Sequence, residues 1–140
     1  FLGDSIVGEW VNLGAGTTTS NLKLSYGTIQ SIDLNSNEPV ETDQQFLGVL
    51  FGDFVKTAIN SSFDCGSIIN SCSSLFGTIP HSKLIPSFTW GSKDHYVNQE
   101  LDSMIGSITR MMARRDYALS EEETLVIKAL HSKSKNLTRA

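Results

Sequence analysis

Thirty residues, Phe51 to Pro80, read FGDFVK TAINSS FDCGSI INSCSS LFGTIP when broken into sixes. One column holds Phe51, Thr57, Phe63, Ile69 and Leu75. Four places on, another holds Val55, Ser61, Ser67, Ser73 and Ile79, which are small or β-branched. A helix repeats every 3.6 residues and a strand every two, so neither sustains a period of six. A parallel β-helix of hexapeptide repeats does. Each hexad makes a short strand and a turn, and three hexads make one triangular coil. The large and the small column point inward and stack on their equivalents one coil along. The column serines are expected to be inward fillers with satisfied hydroxyls.

A first block, FLGDSI VGEWVN LGAGTT, precedes this run. Leu2, Val7 and Leu13 are expected at its inward position, with one five-residue step. Gly3, Gly8 and Gly14 follow them, as expected where backbones pass closely. LGAG lacks the strand–turn–helix setting of a phosphate-binding loop. Between the blocks, 19–45 is polar, without the period, and long enough to be a functional loop or an interface element. LKLSYGTIQSI within it alternates weakly, which fits a short hairpin. After Pro80 and Pro86, Ile85, Phe88 and Trp90 are expected to cover the open end of the coil, because a bare final edge invites aggregation.

The remainder reads as helical. Leu101, Met104, Ile105, Ile108, Met111 and Met112 form one apolar stripe. Gly106 within it suggests close packing, and Arg110, Arg114 and Arg115 suit the negative end of the helix dipole. Ser120 and Glu123 make a capping box that opens a second helix through about His131, with Leu125, Ile127, Ala129 and Leu130 as its apolar residues. KSKNLTRA is expected to fray. The fold expected is thus an all-β solenoid with C-terminal helices. Residues 1–92 carry the β-helix, with a loop insertion at 19–45 and a capping segment at 80–92, and 93–140 form a helical extension.

Fifteen acidic against eleven basic residues leave a net charge of −4. That balance argues against a general nucleic-acid binder. No apolar run approaches the ~20 residues of a membrane span. Cys65 and Cys72 form neither a CxxC nor a metal pair, and no metal site is expected. They read as buried thiols of a reducing compartment, and with no recognisable signal peptide the placement expected is cytoplasmic. His81, His95 and His131 stand outside the columns and read as solvated or capping residues. The chain starts with Phe inside a hexad, which reads as a piece of a longer protein.

Two passages carry a family resemblance. Leu2-Gly3-Asp4, Val7-Gly8, Val11-Asn12-Leu13-Gly14-Ala15-Gly16-Thr17 and Asn21 resemble the acetyltransferase domain of the bifunctional N-acetylglucosamine-1-phosphate uridyltransferase family. FGDFVKTAIN, IPSFTWG and ARRDYALSEEE are similar to sugar nucleotidyltransferase-like proteins that share the hexapeptide C-terminal domain. The resemblance implies a left-handed β-helix, a homotrimer, and an acetyl-CoA site between subunits. It implies Asn12 as the amide beside the reacting sugar, Ala15 as a backbone contact to the pantetheine arm, and Asn21 near the acyl donor. The family's general-base histidine falls upstream of Phe1, and two family tyrosines are replaced by Phe1 and Leu22. No GxGTR-type loop is present, so nucleotidyl transfer is not expected from these residues. Three functions follow as expectations: acetyl-CoA-dependent acetylation of a sugar phosphate, a trimerising module without chemistry, or a domain that binds a nucleotide sugar or coenzyme A without turnover.

Overall fold

The computed structural model describes residues 1–77 and 80–137, the last three by backbone alone. Ten of its strands lie parallel in three sheets. The chain enters the first sheet at β1 (Ile6–Val7), the second at β2 (Asn12–Leu13) and the third at β3 (Thr18–Thr19). It returns to the same sheets in the same order at β6 (Leu50–Phe51), β7 (Lys56–Thr57) and β8 (Ser62–Phe63). It then passes through the first two again at β9 (Ile68–Ile69) and β10 (Ser74–Leu75), and once more at β11 (Leu84–Ile85) and β12 (Thr89–Ser92).

The register makes the columns real. Val7, Phe51, Ile69 and Ile85 align down the first sheet. Leu13, Thr57, Leu75 and Gly91 align down the second, and Thr19 and Phe63 down the third. Phe51, Phe63, Ile69, Leu75 and Ile85 form one buried core with Val49 and Val55. Ser61, Ser67 and Ser73 are fully buried, and each hydroxyl donates to the carbonyl three residues back, at 2.9, 2.7 and 2.8 Å. Each serine thus satisfies its own polar group within the turn, which is why it can sit in a core. Ile79 lies outside the described residues.

The first block keeps its five-residue step: the Thr19 N–H donates to the Phe1 carbonyl at 3.0 Å and the Phe1 ammonium to the Thr17 carbonyl at 3.2 Å, the parallel pattern that pairs Leu2 with Thr19. The expected cap changes. Residues 80–92 do not simply cap the coil: β11 and β12 extend it, with Ile85 inward on Ile69. The step from Ile69 to Ile85 is two residues short of three hexads, which hid the repeat. The end is closed instead by β13 (His95–Asn98), which turns back antiparallel on β12.

Gly14 shows why this position takes glycine. A Cβ there would lie 2.6 Å from the Ala58 carbonyl oxygen and 2.6 Å from the Ile59 nitrogen, both backbone atoms of the next coil. The excursion after β3 does form a hairpin, β4 (Gln30–Ile32) against β5 (Pro39–Glu41). Its tip is fixed by the Asp33 carboxylate, which accepts from the N–H groups of Asn35 and Ser36 at 2.7 and 3.0 Å. These bonds hold the Asp33 carboxyl below its usual pKa. The hairpin folds over the turn between β8 and β9. Ile29 is fully buried there, and the Ser31 hydroxyl donates to the Gly66 carbonyl at 2.9 Å. Gly66 has φ +72 and leaves no room for a Cβ, which would meet the Gln30 carbonyl at 2.5 Å.

The helices are α1 (Leu101–Ala113) and α2 (Glu121–Leu137). The capping box forms: the Glu123 N–H donates to Ser120 Oγ at 3.1 Å and the Ser120 N–H to Glu123 Oε2 at 2.8 Å. These bonds lower the Glu123 pKa. α2 continues past His131 into the segment expected to fray, while 138–140 lie outside the described residues. Leu125 is exposed, while Ile127, His131 and Ser134 are buried. Gly106 is not tightly packed, since a Cβ there would meet only the mobile end of the Arg110 side chain, at 3.3 Å.

α1 sits on a feature with no sequence signal. One corner of the coil is built from Trp10, Phe54, Cys72 and Phe88, all with φ between 55 and 63. They stack coil on coil. The N–H groups of Phe54, Cys72 and Phe88 donate to the carbonyls of Glu9, Asp53 and Ser71, at 2.9, 2.9 and 3.3 Å. Bulky residues avoid this left-handed conformation, which costs on the order of 1 kcal/mol each. The compensation is packing: Cys72 and Phe88 join Met104, Ile108, Met112 and Ile127 in a second buried cluster, with Trp10 and Phe54 at its edge.

Candidate functional site

Asn12 lies on β2 with its side chain outward, next to Lys56 and in line with Ser74 and Trp90. It is exposed, because alternate residues of a strand face opposite ways and Leu13 takes the core. Beside it opens a cleft of about 250 Å³, lined by Trp10, Val11 and Asn12 from the coil and by Met111, Arg114 and Arg115 from the end of α1. One wall is fixed by the corner. Trp10 meets the Tyr117 ring edge-on at 5.5 Å and 73°. Asp116, with φ 59, reverses the chain so that the Tyr117 N–H reaches the Met112 carbonyl at 3.2 Å.

The cleft can bind and orient, but its lining holds no acid or base. Asn12 offers one acceptor and two donors, and each arginine a planar fork of donors. Lys56, the neighbour of Asn12 across the sheet, is turned away. Its ammonium donates to the Phe54 carbonyl at 3.2 Å and lies 3.6 Å from the Met104 sulfur. Burial under α1 lowers its pKa. The two arginines are the residues sequence reasoning passed over as helix-dipole partners. The signal was their adjacency at the end of an apolar stripe.

The other two expected site residues stand elsewhere. Ala15 is exposed at the next corner, where its carbonyl accepts the Asn60 N–H at 2.8 Å. Asn21 follows β3 and donates to Asp4 Oδ2 at 2.6 Å, while its carbonyl accepts the Leu47 N–H at 3.0 Å. Neither lines the cleft beside Asn12. A larger cleft, about 490 Å³, lies between the hairpin tip, β11 and α2. It is mostly apolar, with Leu34, Leu84 and Leu130 among its lining and Lys133 as its charged group. None of the expected site residues faces it.

Two of the three histidines are buried, contrary to expectation. His131 lies edge-on to Phe88 at 4.7 Å, with Nε2 3.3 Å from the Gln99 carbonyl. His81 keeps the six-residue phase across Pro80 and stacks on Phe63 at 5.1 Å and 23° as the next member of the third-sheet column. Its Nδ1 pairs with Tyr96 Oη at 2.7 Å, and its Nε2 is buried without a partner. Only His95 is exposed. Burial, with Lys93 adding to it, pushes the His81 pKa below the usual value. Protonation would place a second N–H where no acceptor stands. The unfolded chain, with a histidine near 6.5, therefore takes up the proton first, and the contribution of His81 to stability is present above about pH 6.5 and lost as pH falls below it. The urea midpoint is expected to drop between pH 7.5 and pH 5, and His81→Phe to flatten that drop while keeping the stack. An equal drop in the variant would assign the acid sensitivity to other groups.

Both cysteines are free and buried. Burial pushes the Cys72 thiol up to about 12, so it stays protonated and unreactive. Among the described residues no three His, Cys, Asp or Glu side chains stand together as a metal site. Nor is any described helix long and apolar enough to cross a membrane.

No family model matches the chain. Over 71 residues, 51% of this chain, it is 39% identical to the bifunctional protein GlmU of Methanocaldococcus jannaschii. The match spans 17% of the length of that relative. The similarity supports a relationship to the sugar nucleotidyltransferase and acetyltransferase type of protein at that coarse level.

Proposed function

We propose that this chain is a left-handed β-helix module of a sugar-nucleotide-pathway transferase, and that it serves acetyl-CoA-dependent acetylation of a sugar phosphate. The observation that carries the reading is the partial similarity to GlmU, taken with an outward Asn12 at the mouth of a polar cleft. The return of the chain to three sheets in fixed order supports the coil. The module would assemble as a cytoplasmic homotrimer, which accounts for Ala15 and Asn21 facing away from the Asn12 cleft: each would serve a site shared with a neighbour.

In this reading the sugar amine or hydroxyl attacks the thioester carbonyl. A bond forms from nitrogen or oxygen to the acyl carbon, the carbon–sulfur bond breaks, and the thiolate of coenzyme A leaves. The Asn12 amide accepts from the attacking group or donates to the developing oxyanion. The attacking proton needs a base, which the cleft lining does not supply. The family resemblance assigns that task to a histidine preceding Phe1. Asn12→Ala is expected to lower kcat/KM for acetyl transfer by about 10²–10³-fold, the usual effect of losing one oxyanion donor. Steady-state kinetics with glucosamine 1-phosphate and acetyl-CoA reads this. Full activity in the variant would remove Asn12 from the site.

The base-free lining favours a second reading, a trimerising module without chemistry. Calorimetry with acetyl-CoA separates the two: no heat of binding at millimolar ligand would sink the transferase reading.

A further inference from the structure

We propose that Arg114 and Arg115 bind a phosphoryl or pyrophosphoryl group in the cleft beside Asn12. The inference deepens the transferase reading, on which it rests for the role of Asn12.

Both guanidinium groups line the cleft, and among the described residues neither has a hydrogen-bond or ion-pair partner. That is notable in a chain with fifteen acidic residues and a net charge of −4. No carboxylate lines the same cleft. Compensation of the helix dipole does not require this pair, since Arg110 already stands in the last turn of α1. A helix C-terminus carries roughly half a negative charge, which disfavours an anion. Two adjacent guanidinium groups outweigh it, and their planar forks match the oxygens of a phosphate. The segment that carries them is held at both ends. Met112 is buried against the corner column before it, and Tyr117 meets Trp10 after it. The chain geometry is therefore set before a ligand arrives. Asn12, on the facing wall, would meet the part of the ligand next to its phosphate.

The shared chemistry has two sources, a sugar 1-phosphate or the phosphates of coenzyme A. The probe is inorganic pyrophosphate, titrated calorimetrically into the intact chain. The double variant R114Q/R115Q is expected to weaken binding at least tenfold, since it replaces charge-assisted, bidentate hydrogen bonds to the anion by weaker neutral ones. R110Q, one turn back and outside the cleft lining, is expected to bind as the parent does. Added salt should weaken binding to the parent and matter less in the double variant. An unchanged urea midpoint in both variants would show that folding is intact. Glucosamine 1-phosphate against glucosamine, and coenzyme A against 3′-dephospho-coenzyme A, then tell which phosphate the pair holds. Either assignment supports the proposal. Parent-like pyrophosphate binding by the double variant, an equal loss in R110Q, or no binding by the parent would overturn it. The failure of the transferase reading looks different: acetyl transfer absent while arginine-dependent pyrophosphate binding persists.

Discussion

Phe63→Ala is expected to destabilise the protein by about 3–5 kcal/mol, the range for removing a buried aromatic from a packed core. Its side chain is 2% exposed. The ring meets Phe51 edge-on at 5.3 Å below the stack it makes with His81. Truncation opens a cavity and leaves His81 with no ring beneath it. The coil cannot close the gap by sliding, because its strands are locked in register across sheets with backbone approaches as tight as that at Gly14. His81 is held by a neighbour as well as by Phe63, so the loss should extend to the bond with Tyr96. Urea unfolding followed by circular dichroism measures it. A loss below about 1 kcal/mol would mean that the third-sheet column is not a close-packed part of the core.

The inward columns were legible because a strict period of six has few solutions, and Phe51, Phe63, Ile69 and Leu75 are where that period puts them. The reading failed where the period slipped. The two-residue deletion before Ile85 made β11 and β12 look like a cap. Pro80 made His81 look like a loop residue, although it keeps the phase of Leu75. The corner column was illegible for a different reason. Trp, Phe and Cys at positive φ contradict every local preference. They are stable there because α1 covers them, and that coverage is a tertiary fact. Asn12 could be picked from its motif, but the cleft beside it is made by residues a hundred positions on. The sequence pattern on either side says nothing of that meeting.

Ile108→Asp tests the meeting directly, and its effect should be larger on α1 than on the coil. Ile108 is fully buried in the cluster that joins the helix to the corner. An unpaired carboxylate there costs several kcal/mol. The cheapest relief is for α1 to lift away, since the coil has its own separate core and its own ladder of strand pairs. Hydrogen exchange should then become fast across 101–113 and stay slow across 50–75. Cys72 supplies an independent readout. It is 1% exposed in the parent, with its thiol pushed up to about 12, and detachment of α1 would bring it to solvent as an ordinary thiol. Labelling by a maleimide should therefore reach Cys72 in the variant and not in the parent. Thr109→Asp, at an exposed position next in sequence, should leave both readouts unchanged. The same variant separates fold from site: with α1 lifted, Arg114 and Arg115 leave Asn12, and pyrophosphate binding should fall as far as in R114Q/R115Q. Slow exchange across 101–113 in Ile108→Asp would contradict a dry interface at the corner column. Retained pyrophosphate binding after detachment would show that the arginines do not need the coil wall to hold the anion.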